Sequence, residues 1–117
     1  MKEIKINIFE HVGSDAAVSS EDGDSLYNRI VKGLEENDVK VILDFNNINL
    51  ITSTFLNAAV GQLYGKYDSY FLKKHLGVKN LNKEDLELLK KVVERAKEYF
   101  KDRKKMDNSI KEILEDE

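Results

Sequence analysis

The stretch VILDFNNINLITSTFLNAAVGQLYG, Val41 to Gly65, decides how this chain is read. Val39, Val41, Ile42, Leu43 and Phe45 make a nearly continuous apolar run, the composition of a strand buried on both faces in the middle of a sheet. Asp44 stands near its end. As a structural residue it accepts backbone N–H bonds of the following turn. As a catalytic carboxylate it needs a base or nucleophile beside it, and none is identified. Asn46, Asn47 and Asn49 supply the turn, and Thr52, Ser53 and Thr54 stand where a helix begins near Ser53. Leu56, Ala59, Val60 and Leu63 are its core stripe, while Ala58, Ala59 and Gly61 are small enough to bring it close to a sheet.

The three hydroxyls have two readings. A Ser or Thr at an N-cap accepts from the orphan amides of the first turn. The same position tolerates a phosphate, because those amides and the positive end of the helix dipole favour an anion. Both readings stand on the residues alone.

Working outward, Ile4, Ile6 and Ile8 alternate with polar residues and predict a half-buried strand. Gly13-Ser14-Asp15 then predicts a turn into a short return strand around Ala16 to Val18, making an N-terminal hairpin. Tyr27, Ile30, Val31 and Leu34 predict a helix, capped by Asp24 or Ser25 and ended at Asn37-Asp38. After the central stretch comes a short helical or irregular piece through Lys74. A strand from His75 to Leu81 follows, with Leu76 and Val78 inward. Asn82 caps a long helix whose seam is Leu86, Leu89, Val93, Ala96 and Phe100. The expectation is an α/β (α+β-like) domain of order β-β-α-β-α-β-α, a mixed sheet of about four strands packed by about three helices. The right-handed crossover rule packs those helices mainly on one face if the crossovers run one way. Residues 1–104 make the single domain, and 105–117 a helical or frayed tail.

Composition narrows the function. At 117 residues the chain is the size of one compact domain. Its formal net charge of −3 provides no field to recruit nucleic acid or anionic lipid. Lys101, Arg103, Lys104 and Lys105 are a basic cluster mixed with Glu98, Asp102 and Asp107, read as a solvated helix face. Apolar runs are too short for a bilayer and the N-terminus lacks a signal core, so no membrane is expected and the cytoplasm is the expected compartment. Cysteine is absent, excluding disulfides and thiolate metal sites. Neither phosphate-binding loop motif occurs, and His11 and His75 lie apart as a hairpin-end residue and a strand residue. No cofactor and no metal are expected.

The V-x-L-D-F strand, the short loop, the apolar-x-Ser-Thr turn and the helix after it resemble the central segment of STAS domains, the anti-sigma-factor antagonist fold. ITSTFLNAAVGQLYG, with AVSSEDGDSLYNRI and VVERAKEYF, is more closely similar to a bacterial STAS-like family of unassigned function, over Ile4 to about Phe100. The resemblance implies a non-enzymatic signalling module whose partner is an ATP-binding, kinase-like protein, so that any ATP belongs to the partner. It also implies a phosphoacceptor at Ser53 or Thr54. Thr52 stands where the antagonists usually carry Asp, and Phe55 where they carry Gly. The expected interface is Asn46, Asn47, Asn49, Thr52, Asn57 and Gln62, with Tyr64 and Tyr67 as aromatics that either join it or lie in the core. Two other functions fit the same residues. One is a small ligand binder or enzyme using Asp44 and the hydroxyl turn at a strand end. The other is a structural homo-oligomer joined through the final helix.

Overall fold

A computed structural model describes the backbone of residues 1–115 and the side chains of residues 1–101. The side chains of the tail, and of the basic residues Arg103, Lys104 and Lys105, lie outside that description. The first strand, β1 (Lys2–Asn7), ends one residue short of the last alternating isoleucine, because Asn7 caps a helix, α1 (Ile8–Val12). The Asn7 Oδ1 accepts from the Glu10 N–H at 2.9 Å, and an Asn with Glu three residues on is a helix-start pattern. Gly13 stops the helix at φ +82°, and its N–H reaches the Phe9 carbonyl, the left-handed C-cap that glycine adopts without a Cβ clash. The expected hairpin is therefore corrected: a helical turn replaces it, and Ile8 is fully buried on that turn.

The short strand β2 (Ala16–Ala17) does exist, but it pairs in parallel with β4 (Leu50–Ile51). The principal sheet is β1, β3 (Val39–Asp44) and β5 (Leu76–Lys79) in the order β1-β3-β5, all parallel. The described residues thus form a three-stranded and a two-stranded sheet with five α-helices, in place of one mixed sheet with three. The sheets are parallel because every return passes through a helix rather than a tight turn.

β3 is central, as its apolar run predicts, but it is buried on one face and not on both: Lys40 and Ile42 alternate as half-buried residues. Its register sets Ile6 and Leu43 beside Val78 on one face, and Lys5 and Ile42 beside Gly77 on the other. The first face is buried in a core with Leu26, Ile30, Phe55, Leu56, Leu63, Leu72 and Val92. Ile42 stands outside that core. Helix α2 (Ser20–Leu34) starts on Ser19, whose Oγ accepts from the Asp22 N–H at 3.1 Å, rather than on Asp24 or Ser25. Helix α3 (Ser53–Ala59) runs into a 3-10 turn, Gly61–Gly65. Helix α4 (Ser69–His75) is capped by Asp68, and α5 spans Lys83–Glu115 behind the Asn82 cap. Val92, absent from the expected seam, is the most buried of the described α5 side chains, while Leu86 and Phe100 are only half-buried.

The small residues of α3 serve a different neighbour from the one expected. Ala58 and Ala59 meet α2, where a Cβ built on Gly23 would lie 2.6 Å from both the Phe55 carbonyl oxygen and the Ala58 Cβ. Backbone on one side cannot move aside cheaply, so only glycine allows this crossing. Gly23→Ala should therefore cost about 2–3 kcal/mol. Gly13→Ala, whose position has only the positive φ against it, should cost about 1 kcal/mol. Urea unfolding of both variants checks the order, and a Gly23→Ala protein as stable as the parent would contradict the packing described.

Candidate functional site

The Asp44 carboxylate closes the end of β3 and is 4% exposed. Its Oδ1 accepts from the Asn46 N–H at 3.0 Å and from the Asn80 side-chain amide at 2.7 Å. Its Oδ2 lies 3.5 Å from the Lys5 Nζ. One carboxylate thereby joins β1, β3 and the exit of β5. The Asn80 hydrogen bond, ahead of the Asn46 N–H and Lys5, holds its pKa below the ordinary 3.8, although burial opposes the shift. A carboxylate so placed is a fixed acceptor, ill-suited to take a proton near neutral pH.

From this hub the loop runs through a turn in which the Ile48 N–H reaches the Phe45 carbonyl at 3.1 Å. Asn47 occupies the third position at φ +68°, a conformation Asn tolerates better than most residues. Asn49 is drawn into the fold: its side-chain amide donates to the Asp15 Oδ2 at 2.9 Å and its N–H to the Asp15 carbonyl at 2.8 Å. Those bonds bring β4 beside β2. Thr52 follows as the N-cap of α3. Its Oγ1 accepts from the Phe55 N–H at 3.2 Å and donates to the Val18 carbonyl at 2.7 Å.

Ser53 is half-buried and Thr54 is exposed in the first turn of α3. Neither hydroxyl has a hydrogen-bond partner among the described residues, whereas Thr52 has two. Asn57 is exposed one turn further along. Gln62 is tied inward, its Nε2 donating at 2.8 Å both to the Asp24 Oδ1 and to the Ala58 carbonyl. Tyr64 and Tyr67 pack against the core. The six expected interface residues thus divide. Asn49, Thr52 and Gln62 hold the fold and Asn47 shapes the turn. Asn46 and Asn57, like the expected phosphoacceptors Ser53 and Thr54, keep side chains free of such bonds among the described residues.

Both histidines differ from their expected settings. His75 ends α4 rather than opening a strand, its Nδ1 donating to the Val39 carbonyl at 2.9 Å. Its ring stacks on Phe71 at a centroid separation of 4.3 Å, and Phe71 in turn stacks on Tyr67 at 4.9 Å. His11 lies in the last turn of α1 and bridges to α2, with Nδ1 3.2 Å from the Arg29 guanidinium and Nε2 3.2 Å from the Ser25 Oγ. Arginine only donates, so Nδ1 accepts and the ring proton sits on Nε2, pointing at the serine oxygen. Burial first, then the Arg29 charge, lower the His11 pKa from 6.5, with Asp22 opposing. Sequence reasoning missed this bridge because the α1 turn that aims His11 was itself missed. The signal available was Asn7 with Glu10.

Among the described residues no group of three or more His, Asp or Glu side chains is placed to hold a metal ion. No helix is long and apolar enough to cross a membrane among them. Compared with known families, residues 22–86 match the model of a STAS-like domain of unknown function (DUF4325). No curated protein and no solved structure matches the chain significantly.

The two lowered pKa values have the same sign in stability. For each group the unfolded chain binds more protons in the relevant window, so stability rises with pH there. The Asp44 contribution is complete above the ordinary value of 3.8 and fades as pH falls through the lower folded value. The His11 contribution is complete above about 6.5 and fades below it in the same way. Asp44→Ala should lose about 2 kcal/mol at pH 7 by leaving the Asn46 and Asn80 donors unpaired, and the deficit should shrink below pH 4. His11→Gln should flatten the urea midpoint between pH 5 and 7. Unchanged pH slopes in both variants would refute these assignments.

Proposed function

Because the chain belongs to the family of STAS-like domains of unknown function, we propose that it is a non-enzymatic signalling module that binds a protein partner through the end of the sheet where α3 begins. The contact surface is Asn46, Ser53, Thr54 and Asn57, held in place by the internal bonds of Asn49, Thr52 and Gln62. The partner is an ATP-binding, kinase-like protein, and its phosphorylation of Ser53 or Thr54 weakens the contact.

One observation carries this reading. In a turn of three hydroxyls, Thr52 is consumed by capping and by the Val18 carbonyl, while its two neighbours are left without internal partners. Thr52 also takes over the acceptor role at the place where the antagonists usually carry Asp. A phosphate on the first turn leaves the cap intact and adds negative charge near unpaired amides, so the fold survives modification. Enzymatic use of Asp44 is disfavoured by its three donors and lowered pKa.

The test is purification of the tagged chain from its native cells, with mass spectrometry of the Val41–Lys66 peptide and of co-purifying proteins. An ATP-binding protein should be retained by Ser53→Ala/Thr54→Ala and lost by Ser53→Asp/Thr54→Asp, and phosphate should map to Ser53 or Thr54. Thr52→Ala should instead lower stability by about 1 kcal/mol without adding charge at the contact. An unmodified peptide, together with an Asp pair that changes no association, would eliminate the proposal.

A further inference from the structure

Among the described residues β5 is an edge strand that pairs only with β3. The Lys79 carbonyl accepts from the Phe45 N–H at 3.0 Å. Along a strand the backbone groups of alternate residues point to the same side. Gly77 and Lys79 therefore bond toward β3, and Leu76 and Val78 direct theirs away from the sheet. The Leu76 N–H is used in closing α4 on the Leu72 carbonyl. The Leu76 carbonyl and both backbone groups of Val78 remain at the open edge, with no backbone partner among the described residues. An edge of this kind is a template for another strand.

The space beside that edge is shaped to receive side chains. A groove of about 570 Å³ runs between α4 and α5, with Leu76 and Val78 on its β5 side. Its floor includes Leu72 and Leu89, only 1% and 7% exposed. Tyr70 stands at its rim with 79% of its surface exposed. Among the described residues the charged lining is Lys73 and Lys97, with no carboxylate. Neither lysine has an ion-pair partner among the described residues, and the Lys97 Nζ lies 6.0 Å from the Tyr64 ring centroid.

We propose that this edge and groove bind an extended segment of a partner protein, taken up as a further strand beside β5. Its backbone bonds to Val78 and the Leu76 carbonyl, its apolar side chains enter the groove at alternate positions, and its carboxylates face Lys73 and Lys97. Backbone pairing supplies affinity and the groove supplies selectivity in such strand addition. Charge decides between occupants. A second copy pairing edge to edge would bring its own Lys73 and Lys97 against the first pair, whereas an acidic segment neutralises them. The groove shares no residue with the hydroxyl turn, so the two surfaces can be tested separately.

The test pans the full chain against a displayed library of random linear dodecapeptides, then measures recovered peptides by fluorescence anisotropy. Enriched sequences should alternate Val, Ile, Leu or Phe with other residues and carry Asp or Glu. Affinity should fall by about tenfold or more, some 1.4 kcal/mol, with Lys73→Glu/Lys97→Glu and with Val78→Pro. It should be unchanged by Ser53→Ala/Thr54→Ala. Val78→Pro removes the outward N–H, a loss edge strands tolerate, and trims the side chain on the groove wall. Should circular dichroism show that variant unfolded, slowed hydrogen exchange at the Val78 amide in the peptide complex replaces it. Lack of enrichment, basic consensus sequences, or affinity indifferent to charge reversal would overturn the proposal. So would a dimer of the free chain that Val78→Pro dissolves, since the edge would then belong to a second copy.

Discussion

The Asp44 carboxylate receives the Asn46 N–H, the Asn80 amide and the Lys5 ammonium at one nearly inaccessible point. These groups come from the turn after β3, the exit of β5 and the strand β1, so the carboxylate aligns the ends of all three strands. A buried charge is stable only when its acceptor capacity is met, and here three chain segments must converge to meet it. The Asn46-Asn47 turn leaves from that point, and the Asn49–Asp15 bonds direct it to β2. The position of the hydroxyl turn is therefore inherited from an interaction at the strand ends.

A second constraint is the crossing of α2 over α3 at Gly23. With no side chain between them, the two helices approach closely enough for Phe55 and Ala58 to touch the α2 backbone, and Gln62 reaches Asp24 across the same interface. α3 is held on both sides: Thr52 anchors its start to the Val18 carbonyl and Gly23 fixes its flank. Ser53 and Thr54 then project from a turn fixed at its start and along its flank, so the proposed contact is offered in one orientation.

Placing the helices on one face leaves the three-stranded sheet unusual for a parallel one, which is ordinarily covered on both sides. Lys5, Lys40 and Ile42 lie on the uncovered face, with Lys40 and Ile42 leaning over Gly77. The two surfaces singled out above differ in character. The hydroxyl turn offers polar side chains on fixed backbone, whereas the β5 edge offers unpaired backbone beside an apolar groove.

Local chemistry was legible wherever one segment carried the whole signal. The apolar run from Val39 marked the central strand, Thr52-Ser53 marked the start of α3, and Asn82 marked the start of α5. Inward Leu76 and Val78 were likewise legible from alternation. The family resemblance over the central segment agrees with the match at residues 22–86. What tertiary structure decided was which segments meet. The alternation of Ile4, Ile6 and Ile8 reads the same whether Ile8 is buried by a strand or by the helical turn that Asn7 begins. Asp24 and Ser25 read as well as Ser19 for the cap of α2 until the α3 backbone is seen against Gly23. Among three adjacent hydroxyls, only the Val18 carbonyl, 34 residues from Thr52 along the chain, selects the one that is structural. Those choices depend on contacts between distant residues, and periodicity within one segment contains no term for them.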